Sequence, residues 1–302
     1  MGSRVVGLVL LICAGAVPAR AYFESSEVGV RALSLGSNFV SVSDDASALY
    51  WNPAGIVRVS RHQALFTYEH SPELEGVRRG FAAVVLHTSP LSVGVGWHAV
   101  SLEDALREDL LYVSVSRLLV RRALGAFVSG GATFKVAHVG VDTDGLGSVA
   151  GLRSGQTRLT ADVGVLLSPI PNVTFGAIVR NLGRPQFDLL EGGTQTTLED
   201  ELEWGVSLRW RPNAQLHFSR VKHPRREAES KLGAELEVAR RLSLRLGLGR
   251  DVVSGGVGVR GRGWEIESSF QAHEVLGLVS RVGLRLGFGS ARRGVGGDFD
   301  EF

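Results

Sequence analysis

One cysteine, one methionine and nine prolines are spread over 302 residues. No apolar run approaches the roughly 20 residues that a membrane-crossing helix needs. The cysteine, Cys13, lies within an apolar stretch from Val5 to Val17 that follows Arg4, and Ala19 and Ala21 flank Arg20. This is the pattern of a secretory signal peptide cleaved after Ala21, so residues 1–21 are set apart from the fold. A lipoprotein reading of Cys13 would need a small residue where Ile12 stands. Without the signal the chain has no thiol, which excludes disulfides and thiolate metal sites. Few prolines, and 39 glycines without a fixed period, argue against both collagen and a disordered linker. Neither sign of charge is in excess: Arg4 and Arg20 leave with the signal, and the remaining bases balance 31 acids. Nothing here suggests a nucleic-acid partner. The eight histidines, at 62, 70, 87, 98, 138, 217, 223 and 273, show no ligand spacing. No nucleophile–base–acid set stands out either. The chain therefore reads as a non-enzyme with no metal and no cofactor.

What is present in abundance is alternation. Leu202, Trp204, Val206, Leu208 and Trp210 interleave with Glu203, Gly205, Ser207, Arg209 and Arg211; Leu242, Leu244, Leu246 and Leu248 interleave with Ser243, Arg245, Gly247 and Gly249. Period two places one set on each face of a strand. One face is apolar, the other glycine, serine and charge. Fourteen such segments run from residue 62 to 288: 62–69, 78–88, 91–101, 109–119, 123–138, 157–168, 172–182, 201–211, 214–221, 229–239, 241–250, 253–261, 264–273 and 276–288. Most are long enough to cross a bilayer as tilted strands, and an even number suits a closed antiparallel barrel. A soluble β-sandwich would also alternate, but would need a tighter apolar inner face.

Connection lengths and aromatics point the same way. Tight turns fall at Ser89-Pro90, 120–122, 169–171, Pro212-Asn213, Arg240 and Arg262; the intervening connections, notably 139–156 and 183–200, tend to be longer. Outer-membrane barrels pair short periplasmic turns with longer external loops. Phe175, Trp210, Trp264 and Phe288 fall near the ends with tight turns. Phe66, Phe81, Phe134, Trp204, Phe218 and Phe270 fall nearer the other ends. Two aromatic girdles are expected where a barrel meets the headgroup layers.

On the inward parity of the later strands charges collect: Lys231, Glu235, Glu237, Arg245, Arg260, Glu265, Glu267, Arg281 and Arg285. Opposite charges on neighbouring strands favour one another, and Glu265 and Glu267 are expected to face Arg281 and Arg285. This reads as a paired ladder filling a wet lumen, or as a polar wall beside a ligand path. The earlier strands turn Gly94, Gly96, His98, Gly125, Gly131, Gly164 and Gly176 inward, marking close backbone approach. None of the glycine pairs opens a strand-to-helix phosphate loop.

Ahead of the strands, residues 29–57 hold Arg31-Ala32, Gly36, Asp44-Asp45-Ala46 and Asn52-Pro53-Ala54-Gly55. Asp44 or Asp45 can cap a short helix over Ala46–Tyr50, and Asn52 can cap a turn that begins at Pro53. This segment resembles the N-terminal plug of FadL/PorV-type outer-membrane barrels. The resemblance implies a 14-stranded antiparallel transmembrane β-barrel, all-β apart from a short helical plug in its lumen. The expected organisation is signal peptide 1–21, plug 22–60, barrel 61–289 and periplasmic tail 290–302. The plug positions would be Phe23, Arg31, Ala32, Gly36, Asp44, Asp45, Ala46, Asn52, Pro53, Ala54 and Gly55.

The resemblance also implies an outer-membrane location, a lipid bilayer and the barrel assembly machinery as partners, and passive uptake of small hydrophobic compounds past the plug. The alternative, also within the resemblance, is a PorV-like protein that binds or anchors secreted cargo. Modest loops and a glycine-rich acidic tail after Phe288 depart from the fatty-acid channels of the family.

Overall fold

In the computed structural model the described residues are 27–71, 76–88, 90–103, 106–122, 125–141, 155–188, 195–273 and 277–289. The signal peptide, Phe23 and the tail from residue 290 lie outside them.

The strands are β1 (His62–His70), β2 (Val77–His87), β3 (Leu91–Leu102), β4 (Leu106–Arg121), β5 (Phe127–Val141), β6 (Gly155–Ile170), β7 (Val173–Leu182), β8 (Gln186–Phe187), β9 (Thr196–Thr197), β10 (Glu201–Arg211), β11 (Ala214–Lys222), β12 (Glu229–Ala239), β13 (Leu242–Gly249), β14 (Val252–Gly261), β15 (Trp264–His273) and β16 (Gly277–Phe288). Strands β1–β7 and β10–β16 form one closed barrel. Each pairs antiparallel with its neighbour in sequence, and β16 closes on β1 with Tyr68 opposite Val282. Closure removes every sheet edge, which a barrel in lipid requires. The remaining pair, β8 and β9, makes a small hairpin within the connection from β7 to β10.

The alternation fixes which way each face points. Leu244, Leu246 and Leu248 face outward, with Leu246 67% exposed, while Ser243 and Arg245 between them are buried in the lumen. A soluble sandwich would bury the leucines; here the apolar face is the outer one. Trp210, Trp264, Phe175 and Phe288 are exposed at one end, and Phe66, Phe134, Trp204 and Phe270 are exposed on the same outer surface. Phe218, part-buried, packs edge-on to Trp204 with centroids 5.8 Å apart. Phe81 does not join the outer ring. It is 4% exposed and turns inward against Tyr112, because β2 is apolar on both faces and parity alone could not orient it.

Two-residue turns join β6 to β7, β10 to β11, β12 to β13 and β14 to β15 at one end of the barrel, called here the turn end. The opposite, loop end carries the longer connections, although Arg250-Asp251 there is as short as any turn.

Candidate functional site

Residues 27–60 fill the middle of the lumen. They form helix α1 (Val30–Ser34), helix α2 (Ala48–Trp51) and a 3-10 turn over Pro53–Arg58. Helices this short cannot satisfy their own ends, and the wall supplies partners for the open carbonyls. Gln271 Nε2 donates to Leu33 O, Ser254 Oγ to Ser34 O, Thr133 Oγ1 to Leu49 O, Arg180 Nη2 to Trp51 O and Ser129 Oγ to Ala54 O. The plug is thus bonded to both sides of the barrel. Helix α2 starts at Ala48, two residues later than the sequence suggests. Asp45 Oδ1 takes the Ser47 amide at 2.8 Å and its hydroxyl at 2.6 Å, holding Ala46 and Ser47 in a turn before the helix. Asn52 accepts from Ala54 N at 3.1 Å, with Pro53 first in the 3-10 turn. Its Nδ2 donates to Val40 O at 2.9 Å and Val165 O at 3.1 Å, pinning the plug to β6.

The wall is shaped to the plug by glycine. A Cβ at Gly131 would lie 2.5 Å from Pro53, at Gly164 2.1 Å from Asn52, and at Gly176 2.3 Å from Val40. Gly94 and Gly96 receive Leu49. On the far side, a Cβ at Gly247 would lie 1.9 Å from the backbone of Gly36, and Gly205, Gly233, Gly256 and Gly283 meet Val40, Leu35, Ser34 and Val30. At Gly131, Gly176, Gly233 and Gly247 the plug atom met is backbone, closer than any real Cβ comes, so there the strands can seat the plug only as glycine. The sequence reading identified the first-half glycines and missed the second-half ones. Gly125 is not among them: it sits in the β4–β5 turn near Pro171, with φ of 81°.

Charge locks the plug along the β12–β16 wall. Arg31 binds Glu235, Nη2 to Oε2 at 2.7 Å, and pairs with Asp44. Arg245, whose side chain has no exposure, holds Glu235 at 2.7 Å, Glu267 at 2.7 Å and Glu265 at 3.1 Å. Arg285 pairs with Glu265, and reaches Glu267 and Asp45 at 3.7 Å. The chain of pairs therefore begins and ends on the plug, at Asp44 and Asp45. Arg260 and Glu237 stand 3.6 Å apart where the network nears the turn end. Arg281 departs from its expected partners: β15 places Ser269 opposite it, and it reaches across the closing seam to Glu69 of β1, which also holds Arg79. Lys231 pairs with Glu27 of the plug at 3.4 Å instead of within the ladder.

The opposite part of the lumen is apolar. Leu65, Phe81, Val85, Leu110 and Val139 gather around Leu49 and Ile56 of the plug, and Phe187 and Leu198 from the β8–β9 region close this cluster at the loop end. His98 is buried in the same half.

Two cavities lie on either side of the plug and share no lining residue. The loop-end chamber, about 200 Å³, has Tyr50 and Trp51 as plug residues, with Leu110, Tyr112, Arg180, Glu203 and Lys231 around them. Arg180 lies over Tyr50 at 5.2 Å and Trp51 at 5.7 Å and pairs with Glu203 at 2.8 Å. The turn-end chamber, about 190 Å³, has Ser41, Val42 and Arg58 as plug residues, with Phe127, Thr174, Ser207 and Arg209 beside them. Between the chambers, Phe39 and Trp51 meet edge-on at 6.4 Å in a core with Leu33, Leu35 and Val42. Arg180 and the Arg58–Arg209 pair were not singled out from sequence. Their parity was inward, but nothing local distinguishes a residue that contacts the plug from one that lines water.

Burial pushes the Arg31 guanidinium down, but Asp44 and Glu235 outweigh it and hold it well above its ordinary value. Burial pushes the Asp44 carboxyl up, and Arg31 and Arg58 more than reverse this, leaving it below its ordinary value. Both ends of the plug's own ion pair thus favour their charged forms. Arg58 is depressed, by burial first.

A closed fourteen-stranded barrel with an apolar exterior and an internal plug between two chambers is the architecture of a plugged transmembrane β-barrel. No protein-family profile and no curated protein matches the sequence. Solved structures do match the fold. The CymD monoaromatic hydrocarbon channel superposes with a TM-score of 0.65 at 13% identity, covering 90% of this chain and 100% of that one. The Ralstonia pickettii toluene transporter TbuX gives 0.61 at 13% identity, covering 89% and 100%. A Pseudomonas aeruginosa FadL homologue gives 0.62 at 12% identity, covering 87% and 98%. The fold of this chain is that of the FadL-type hydrophobic-compound channels. None of these three bears a PorV name.

Proposed function

We propose that this protein is an outer-membrane channel for passive uptake of small hydrophobic compounds, with the turn end in the periplasm and the loop end outside. The observation that carries this reading is the plug itself. It divides an otherwise continuous lumen into two chambers and, apart from its chain connection to β1, is held by hydrogen bonds and ion pairs, interactions that can be exchanged. An open lumen of this width would leak solutes, and a lumen packed throughout would need no chambers. Leu110, Tyr112 and Leu198, which line the loop-end chamber, offer a compatible surface for a small ring or short chain entering from the loop end. The structural neighbours named as a monoaromatic hydrocarbon channel and a toluene transporter support the substrate class. Toluene uptake by proteoliposomes containing the protein tests the reading; uptake no faster than in empty vesicles would refute it.

The second reading is a closed barrel that holds a secreted protein at its loop end. The extent of the Arg31–Glu235–Arg245 lock favours it, since a lock this strong suits a plug that never moves. Recovery of a stoichiometric secreted partner from outer membranes, with no toluene uptake, would favour it over the channel.

A further inference from the structure

Tyr112 carries a hydroxyl that the protein does not use. It sits on the inward parity of β4, opposite Gly96 of β3 and Lys135 of β5, is fully buried, and packs its ring edge-on to Phe81 at 6.2 Å. Polar side chains that line the same chamber are engaged elsewhere. Lys135 Nζ pairs with Asp162 at 2.7 Å, Asn181 Nδ2 donates to Glu199 O at 2.8 Å, and Arg180 Nη2 donates to Trp51 O at 3.0 Å. The Tyr112 hydroxyl has no hydrogen-bond partner among the described residues. Burying a hydroxyl unpaired is unfavourable, and phenylalanine would fill the same space without that cost.

The loop-end chamber gives that hydroxyl a context. Tyr112 is in its lining, together with Leu110, Val221 and the plug's Tyr50 and Trp51. Glu203, the other lining residue with buried oxygens outside any hydrogen bond, has its charge met by Arg180 at 2.8 Å. Among the described residues Tyr112 is therefore the one buried polar side chain of the lining with neither kind of partner. A phenolic oxygen both donates and accepts, so it matches another hydroxyl in either direction. At about 200 Å³ the space equals roughly six or seven waters of liquid volume, room for one small ring with a single polar substituent.

We propose that the loop-end chamber prefers small rings bearing a neutral hydroxyl, the class of phenols and aromatic alcohols, and that Tyr112 is the residue that recognises the hydroxyl. The proposal rests on the channel reading and narrows it. A ring lies against Leu110 and Val221 and is held by one hydrogen bond that a bare hydrocarbon cannot make, so toluene is still accepted but binds more weakly.

The test is calorimetric titration of the purified protein, in non-ionic detergent and against protein-free detergent blanks, with p-cresol and with p-xylene, which differ by a hydroxyl in place of a methyl. Saturable p-cresol binding is expected, roughly tenfold tighter than that of p-xylene, the order set by one buried hydrogen bond. Tyr112→Phe should bring the two compounds to the same affinity. Because the hydroxyl holds nothing in the protein, Tyr112→Phe should melt no lower than the parent. Absence of saturable p-cresol binding, equal affinity for the two compounds in the parent, or a preference that survives in Tyr112→Phe overturns the proposal. So does a lower melting temperature in Tyr112→Phe, since that describes a hydroxyl bonded within the protein. Toluene uptake without a p-cresol preference would sink this inference alone; a Tyr112-dependent p-cresol preference without toluene uptake would sink the channel reading and leave the site standing.

Discussion

Arg31 of the plug closes its guanidinium on the carboxylate of Glu235 in β12, Nη2 to Oε2 at 2.7 Å and Nε to Oε1 at 3.1 Å. Two residues 204 positions apart thereby fix the plug to the wall. Glu235→Gln leaves Arg31 and Arg245 short of a counter-charge in a buried place. Removing one partner of such a pair costs about 3–5 kcal/mol. The plug should loosen while the barrel persists, seen as faster amide exchange at residues 30–55 with unchanged heat-modifiable mobility on gels.

Gly247→Ala places a methyl 1.9 Å from the Gly36 amide nitrogen. Neither backbone can yield far, so the plug should be displaced from β13 and become accessible to added protease. Gly80→Ala is the control, since its Cβ would have Thr67 O at 3.7 Å as its nearest neighbour, an ordinary contact. Equal protease resistance in the two variants would mean that the glycines do not seat the plug.

Trp51 is 1% exposed, packs on Phe39 and Tyr50, and donates its indole hydrogen to Val28 O at 2.8 Å. Trp51→Ala should cost about 3–5 kcal/mol and join the two chambers through the space it vacates. Planar-bilayer recordings should show a higher resting conductance than the parent.

The Asp44 carboxyl, pushed up by burial and pulled lower by Arg31 and Arg58, ends below its ordinary value. Its stabilisation of the plug is therefore present above the unfolded carboxylate value, about 3.9, and is lost as pH falls further through the folded one. Resting conductance should stay flat from pH 7 to about 5 and rise below about 4. In Asp44→Asn it should already be raised at neutral pH, and the acid limb should flatten.

On the outer surface, Leu246→Arg puts a charge on the lipid-facing side of β13, where Leu246 is 67% exposed. Near mid-membrane such a change costs about 2–4 kcal/mol. Urea unfolding in lipid vesicles should show the loss, and Ser243→Thr on the inner face of the same strand should not.

The barrel was legible from sequence because lipid imposes an apolar exterior on every strand, so parity at Leu202–Trp210 or Leu242–Leu248 reports orientation directly. It failed at β2, where Phe81-Ala82-Ala83-Val84-Val85 is apolar on both faces. The plug was legible as turns, through Asn52-Pro53 and Asp44-Asp45, but its docking was not. That Gly247 receives Gly36, or that Arg281 reaches Glu69 across the seam, depends on residues brought together only when the barrel closes. Inward glycines, Gly131, Gly164 and Gly176 in the first half and Gly205, Gly233 and Gly247 in the second, were the available signal for that docking surface.

The central claim is that the plug moves to let small apolar compounds pass. Ser41 Oγ of the plug lies 3.1 Å from Ser207 Oγ of β10, close enough for a double cysteine replacement to form a disulfide, and the sequence has no cysteine beyond Cys13 to interfere. Toluene uptake by proteoliposomes bearing Ser41→Cys/Ser207→Cys should be lost on oxidation and restored by a reductant. Uptake that continues unchanged with the disulfide formed, or none in either state, would contradict a moving plug.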